Sequence, residues 1–184
     1  TPLTSSAASD VYKRQPDSII NKLKSRLSDI ELIDNHKSSY WMNQEYADHR
    51  PDQFLNERYD IIVEDIVKNV GVFNESTYTY TYWSQLYDQG NNIGPHNHVD
   101  KECPSDISWV HFIDVPDQKC FRFTDTQGNT LVPDDQNSGD IICFPSWVLH
   151  ETIPTNEQRL IVSGNITLKF KSVDMSKYKS IPTY

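Results

Sequence analysis

Residues 77–87 read TYTYTYWSQLY, an alternation of threonine with large aromatic side chains, and this run limits the fold more than any other part of the chain. Branching at Cβ and bulky rings both favour an extended backbone, and a period of two is the signature of a strand. Once this run begins, no helical periodicity returns. Short apolar stretches at 107–115, 119–124, 140–144 and 160–170 read as further strands. Turn-forming clusters separate them, among them Asp88-Gln89-Gly90-Asn91-Asn92 and Asp134-Asp135-Gln136-Asn137-Ser138-Gly139.

The chain before residue 77 obeys a different rule. Ile19, Ile20, Leu23, Leu27, Ile30 and Leu32 follow the 3.6-residue spacing of a helix that starts after Pro16, a residue suited to the first turn. A second helix is expected from Pro51-Asp52, with Leu55, Tyr59, Ile62, Ile66 and Val70 along one face and Gly71 able to end it. Between them, residues 34–50 read as a loop or short strand. Residues 1–15, rich in Ser, Ala and Thr, are expected to be a disordered leader or a cloning remnant outside the fold. Residues 16–184 then form one domain, with helices over 16–71 and a β-core over 77–170. The expected class is mainly β: a β-sandwich or jelly roll with N-terminal helices packed against it. A doubly wound α/β sheet is excluded, because no helices alternate with the later strands.

Charge narrows the function classes. The 184 residues carry 17 Lys and Arg against 26 Asp and Glu, a formal charge of −9. Such a surface repels phosphate backbones, so a nucleic-acid substrate is not expected. No run approaches the ~20 apolar residues of a membrane span. Cys103, Cys120 and Cys143 have no metal-ligand spacing, which sets an expectation of a reducing, cytoplasmic setting, with Cys143 a small core residue.

The histidines carry the chemistry. In the stretch His96-Asn97-His98-Val99-Asp100, an extended backbone points residues 96, 98 and 100 the same way. An imidazole and a carboxylate spaced as His-x-Asp can grip one metal ion. A third ligand from another strand completes one face of an octahedron and leaves three positions open, the arrangement of non-haem Fe(II) oxygenases. Zinc would prefer closure with thiolates, and neither histidine segment holds a cysteine. His150 follows the run Gly139-Asp140-Ile141-Ile142-Cys143-Phe144-Pro145, and Arg159 stands nine residues beyond it.

Taken in order, His98-x-Asp100, His150 and Arg159 across residues 82–170 resemble the signature of the 2-oxoglutarate/Fe(II) dioxygenases, in their prolyl-hydroxylase-like branch. The resemblance implies a double-stranded β-helix core. It implies Fe(II) held by His98, Asp100 and His150, and 2-oxoglutarate paired through its distal carboxylate with Arg159. Tyr87, Ser163 and Asn165 would line the co-substrate pocket, while Phe112 falls where some relatives place a second tyrosine. O₂ would be the oxidant, and a peptidyl (including prolyl) or small-molecule substrate would be hydroxylated. Gly90 to His98 also resembles a Gly-x-x-x-x-Pro-His-x-His version, in which His96 is a rival ligand to Asp100; otherwise His96 would orient a ligand. Two other readings stay open: a three-histidine cupin-type dioxygenase that works without 2-oxoglutarate, and a jelly-roll module with a structural metal. Trp83, Trp109 and Trp147 are candidates for a water-excluding wall. His36, His49 and His111 are expected to be ordinary surface or strand histidines.

Overall fold

The computed structural model describes residues 15–33, 35–42, 50–70, 76–99 and 105–170. Two helices and eight strands follow in the order α1 (Asp17–Ser28), β1 (Lys37–Ser38), α2 (Asn56–Asn69), β2 (Ser76–Tyr87), β3 (Ile107–Asp114), β4 (Phe121–Thr124), β5 (Thr130–Leu131), β6 (Ile141–Pro145), β7 (His150–Thr152) and β8 (Arg159–Phe170). Short 3-10 turns at Ser39–Met42 and Gln53–Leu55 lead out of β1 and into α2. The strands form a five-stranded sheet, ordered β1-β2-β8-β3-β6, and a three-stranded sheet, ordered β5-β4-β7. All pairings are antiparallel. The expected mainly β, jelly-roll architecture with helices against it is the one observed.

The period of two sorts the large sheet's side chains between two cores. Tyr82, Leu86, Trp109, Ile113, Leu160, Val162 and Ile166 face the helices and meet Leu23, Leu27, Leu55, Tyr59, Ile62 and Val63. Tyr87, Val110, Phe112, Ile142, Phe144 and Ile161 face the small sheet and meet Phe121 and Phe123. One sheet thus separates a structural layer from the layer that holds the site.

The helices are anchored by more than apolar area. Tyr59 of α2 packs its ring 4.7 Å from Tyr82 and 5.0 Å from Trp109, and its hydroxyl lies 3.1 Å from His111 Nδ1. Buried Asp52 accepts hydrogen bonds from Ser39 Oγ at 3.0 Å and Ser84 Oγ at 2.6 Å, with Arg26 of α1 at 3.4 Å. This places a paired charge where α1, the turn after β1 and β2 converge, as a buried carboxylate requires.

Three expectations need correction. α1 ends at Ser28, and Leu32 is exposed. Val70 caps the end of α2 and is also exposed, whereas Val63, absent from the expected stripe, is buried. His111 is no ordinary strand histidine, since it is wholly buried under α2. Gly71, His49 and residues 1–14 lie outside the described residues. No helix among the described residues is long and apolar enough to cross a membrane.

Candidate metal centre

Gly90, with φ of 79°, lets the chain turn out of β2 into residues 91–98. This segment runs antiparallel along β7 and extends the small sheet. His96 and His150 exchange both backbone hydrogen bonds, at 3.0 and 2.9 Å, so they stand directly opposite each other. Thr152 N–H donates to the Ile93 carbonyl at 3.1 Å, and His98 N–H donates to the Ser146 carbonyl at 2.9 Å. His98, two residues beyond His96, projects to the same side.

The three imidazoles therefore converge. Ring centroids lie 4.3 Å apart for His96 and His150, 5.1 Å for His98 and His150, and 5.3 Å for His96 and His98. One nitrogen from each ring falls within 4.8 Å of the others, spacing that lets a single ion bridge all three. Their Nδ1 atoms are engaged elsewhere: His96 with the Gly94 carbonyl at 2.9 Å, His150 with the Val148 carbonyl at 3.0 Å, and His98 with the Asn165 carboxamide at 2.9 Å. A carbonyl can only accept, so His96 and His150 carry their proton on Nδ1 and turn an Nε2 lone pair toward the cluster. Metal-binding histidines are oriented in this way.

Two of the rings, His98 and His150, are also kept neutral. Burial, reinforced by the neighbouring His96, pushes His98 down to about 4, against a partial offset from Asn165. Burial and His96 likewise push His150 down to about 3, against the Val148 carbonyl. Neutral imidazole is the form that binds metal. The apolar walls responsible are Phe144, 4.7 Å from the His150 ring, Phe121 at 5.7 Å, and Trp83, stacked 5.9 Å from His98.

The cluster borders a small cavity that opens to solvent. Gln85, Tyr87, Ser108, Thr152 and Ser163 supply polar groups to its walls. Gln85 links two of them, accepting from Ser163 Oγ at 2.7 Å and donating to the Tyr87 hydroxyl at 3.1 Å. Burial raises the Tyr87 phenol far above its usual range despite Arg159, so it stays protonated.

Arg159 is fully buried, and its guanidinium lies 4.3 Å over the Tyr87 ring, outside the cavity lining. Nη1 donates to Thr155 Oγ1 and Nη2 to the Asn91 carbonyl, each at 2.9 Å, which clips the turn after β2 to the loop before β8. Nε has no partner, and no carboxylate pairs with this cation among the described residues. A buried arginine with no neutralising carboxylate carries a costly uncompensated charge.

Of the residues singled out by sequence, His96, His98, His150, Tyr87 and Ser163 meet at the cavity. Asn165 borders His98, and Arg159 borders Tyr87. Asp100 and Cys103 lie outside the described residues. Trp147 is 68 % exposed, so it is no part of a dry wall, whereas Trp83 and Trp109 both line the cavity. Gln85 escaped the sequence reading, although it shares the parity of Trp83 and Tyr87 on β2 and could have been found from it.

No protein-family model and no curated protein sequence matches the chain. Solved structures do. The chain is similar to a prolyl-4-hydroxylase from Pseudomonas putida, with 15% identity, TM-score 0.61, and 94% of this chain and 92% of that one covered. It is similar to a Trichoplax adhaerens prolyl hydroxylase solved with a hypoxia inducible factor peptide, at 12% identity and TM-score 0.63 over 91% and 82% of the chains. A third likeness is to a viral collagen prolyl hydroxylase from Paramecium Bursaria Chlorella virus-1 in a 2OG complex, at 14% identity and TM-score 0.55 over 90% and 94%. At these identities the shared property is the fold.

Proposed function

We propose that the protein is an Fe(II)- and 2-oxoglutarate-dependent oxygenase that hydroxylates a peptidyl (including prolyl) or small-molecule substrate. The observation that carries this reading is the convergence of three imidazole nitrogens within 4.8 Å at the wall of a cavity between two β-sheets. His98 and His150 are ligands on either sequence reading, with His96 or Asp100 as the third. His96 has geometric support, because it stands opposite His150 and offers a nitrogen to the cluster. An iron centre here would supply O₂ activation coupled to oxidative decarboxylation of 2-oxoglutarate.

The chain's own residues would bind and orient. Arg159 is the one buried cation beside the cavity without a carboxylate among the described residues, and a distal carboxylate would neutralise it. Tyr87 would donate a hydroxyl hydrogen bond to a polar ligand, and Thr152 would add a second hydroxyl. Ser163 Oγ, whose hydrogen goes to Gln85, would accept, with Gln85 fixing Tyr87 and Ser163. Trp83, Phe121 and Phe144 would exclude water from the reacting centre. The solved structures similar in fold include prolyl hydroxylases, one with a peptide and one with 2OG, which favours a peptide substrate over a nucleic acid.

A second reading, a three-histidine oxygenase that needs no 2-oxoglutarate, draws on the same cluster. Succinate formation from 2-oxoglutarate, measured in air with Fe(II), separates them. The proposal expects slow succinate release even without the primary substrate, abolished in His150→Ala. Iron binding with no succinate would leave the second reading, and a coordinatively closed ion would leave a structural module.

A further inference from the structure

We propose that the carboxamide of Asn165 presents its oxygen to His98 and so fixes that ring as the Nδ1–H tautomer, which makes Asn165 the positioning residue of the centre. The inference rests on reading the three-histidine cluster as a metal site, and it concerns what no ligand set specifies: which nitrogen of His98 is free.

His96 and His150 have their tautomers set by backbone carbonyls, which cannot donate. His98 is different, because its Nδ1 partner is a side-chain amide that can either donate or accept. The amide belongs to a chain of hydrogen bonds running across three elements. In the structure the carboxamide nitrogen of Asn165 on β8 faces His98 Nδ1, its oxygen accepts from Ser108 Oγ of β3 at 2.8 Å, and Ser108 Oγ lies 2.9 Å from Ser146 Oγ, after β6. Ser108 and Ser146 are buried, and Asn165 is half-buried.

Two senses of this chain satisfy every group. In one, the Asn165 NH₂ donates to His98 Nδ1, Ser108 donates to the amide oxygen and Ser146 donates to Ser108. His98 then carries its proton on Nε2, aimed at the cluster, and cannot ligate through it. Half a turn of the carboxamide exchanges its nitrogen and oxygen at the same distances and reverses the chain. His98 Nδ1–H then donates to the amide oxygen, Asn165 NH₂ donates to Ser108, and Ser108 donates to Ser146. Only this sense gives all three histidines the same polarity, with an Nε2 lone pair toward the common point. The choice matters to charge too. A neutral amide oxygen, unlike a carboxylate, leaves the charge of a bound divalent ion uncompensated on this side.

Long-range ¹H–¹⁵N correlation spectra of ¹⁵N-histidine-labelled protein read the tautomer directly, with His98 identified by its loss in His98→Gln. Metal-free wild type at pH 7.5 should show His98 protonated on Nδ1, and Asn165→Leu should show a mixture of both forms. In parallel, Asn165→Leu should bind Zn(II) about 10- to 100-fold more weakly than wild type. Asn165→Asp, which can only accept, should restore or exceed wild-type affinity. His98 on the Nε2–H tautomer, or Zn(II) affinity unchanged in Asn165→Leu, would overturn the proposal. If wild type takes up no Zn(II), the metal-centre reading fails, and the metal-free spectrum still judges Asn165.

Discussion

At the scale of the residue, the site was legible wherever strand parity could be counted. Parity puts His96 and His98 on one side, and Ser163 and Asn165 on the side of Arg159, and the structure keeps those relations. What sequence could not supply is register between strands. The reciprocal bonds between His96 and His150 depend on how residues 91–98 settle against β7, and no local pattern encodes that pairing. Register gives His96 its claim against Asp100. His96→Ala should therefore lose most bound iron, as His98→Ala and His150→Ala should. Asp100→Ala should lose less, on the order of 10- to 100-fold if it orients a ligand. Iron content after anaerobic loading and desalting measures this. An iron-free Asp100→Ala beside a nearly wild-type His96→Ala would restore the His98, Asp100, His150 triad.

At the scale of the element, long patterned segments were readable and short ones were not. β2 and β8 pair over their full twelve residues, and the alternation that builds them is visible in sequence. β1, β5 and β7 span only two or three residues, too few for any period, and exist because a neighbouring strand offers them bonds. Gly164 in β8 shows how tightly the helix-facing side is packed: a β-carbon there would run into the indole of Trp109 and the carbonyl of Thr81. Gly164→Ala should destabilise the fold by about 1–3 kcal/mol through overpacking, read from urea midpoints. An unchanged midpoint would mean that Trp109 has room to move. His111, between β3 and α2, predicts an acid sensitivity. Burial, helped by the Arg58 charge, pushes it down to about 3, so between that pH and the ordinary histidine range near 6.5 the unfolded chain binds the extra proton. Stability must then fall as pH drops below the ordinary value, by about 1.4 kcal/mol per pH unit from this group. His111→Gln should flatten the slope of unfolding free energy between pH 6 and pH 4 by about that amount, relative to wild type, and equal slopes would place the titration elsewhere.

At the scale of the whole molecule, the helices, the large sheet and the small sheet divide the labour. The helix-facing core fixes β2, β3 and β8, and those strands then present Trp83, Gln85, Tyr87, Ser108 and Ser163 to the cavity. The small sheet brings His150 against the segment bearing His96 and His98. The switch from a 3.6-residue period to a period of two made this order of layers readable in advance. The closing of the histidine cluster was not readable, since it follows from pairings such as His96 with His150 and His98 with Asn165, distant in sequence. The central claim is that this arrangement seats iron and 2-oxoglutarate together, with Arg159 answering the co-substrate's distal charge. Titration of 2-oxoglutarate into the Fe(II)-loaded protein under argon, followed by visible absorption, tests it most directly. A weak charge-transfer band should grow to saturation at one equivalent, and Arg159→Ala should raise the half-saturating concentration by roughly 30-fold or more, the loss of about 2–5 kcal/mol for a desolvated charge pair. Iron-loaded protein that develops no such band at saturating 2-oxoglutarate would contradict it.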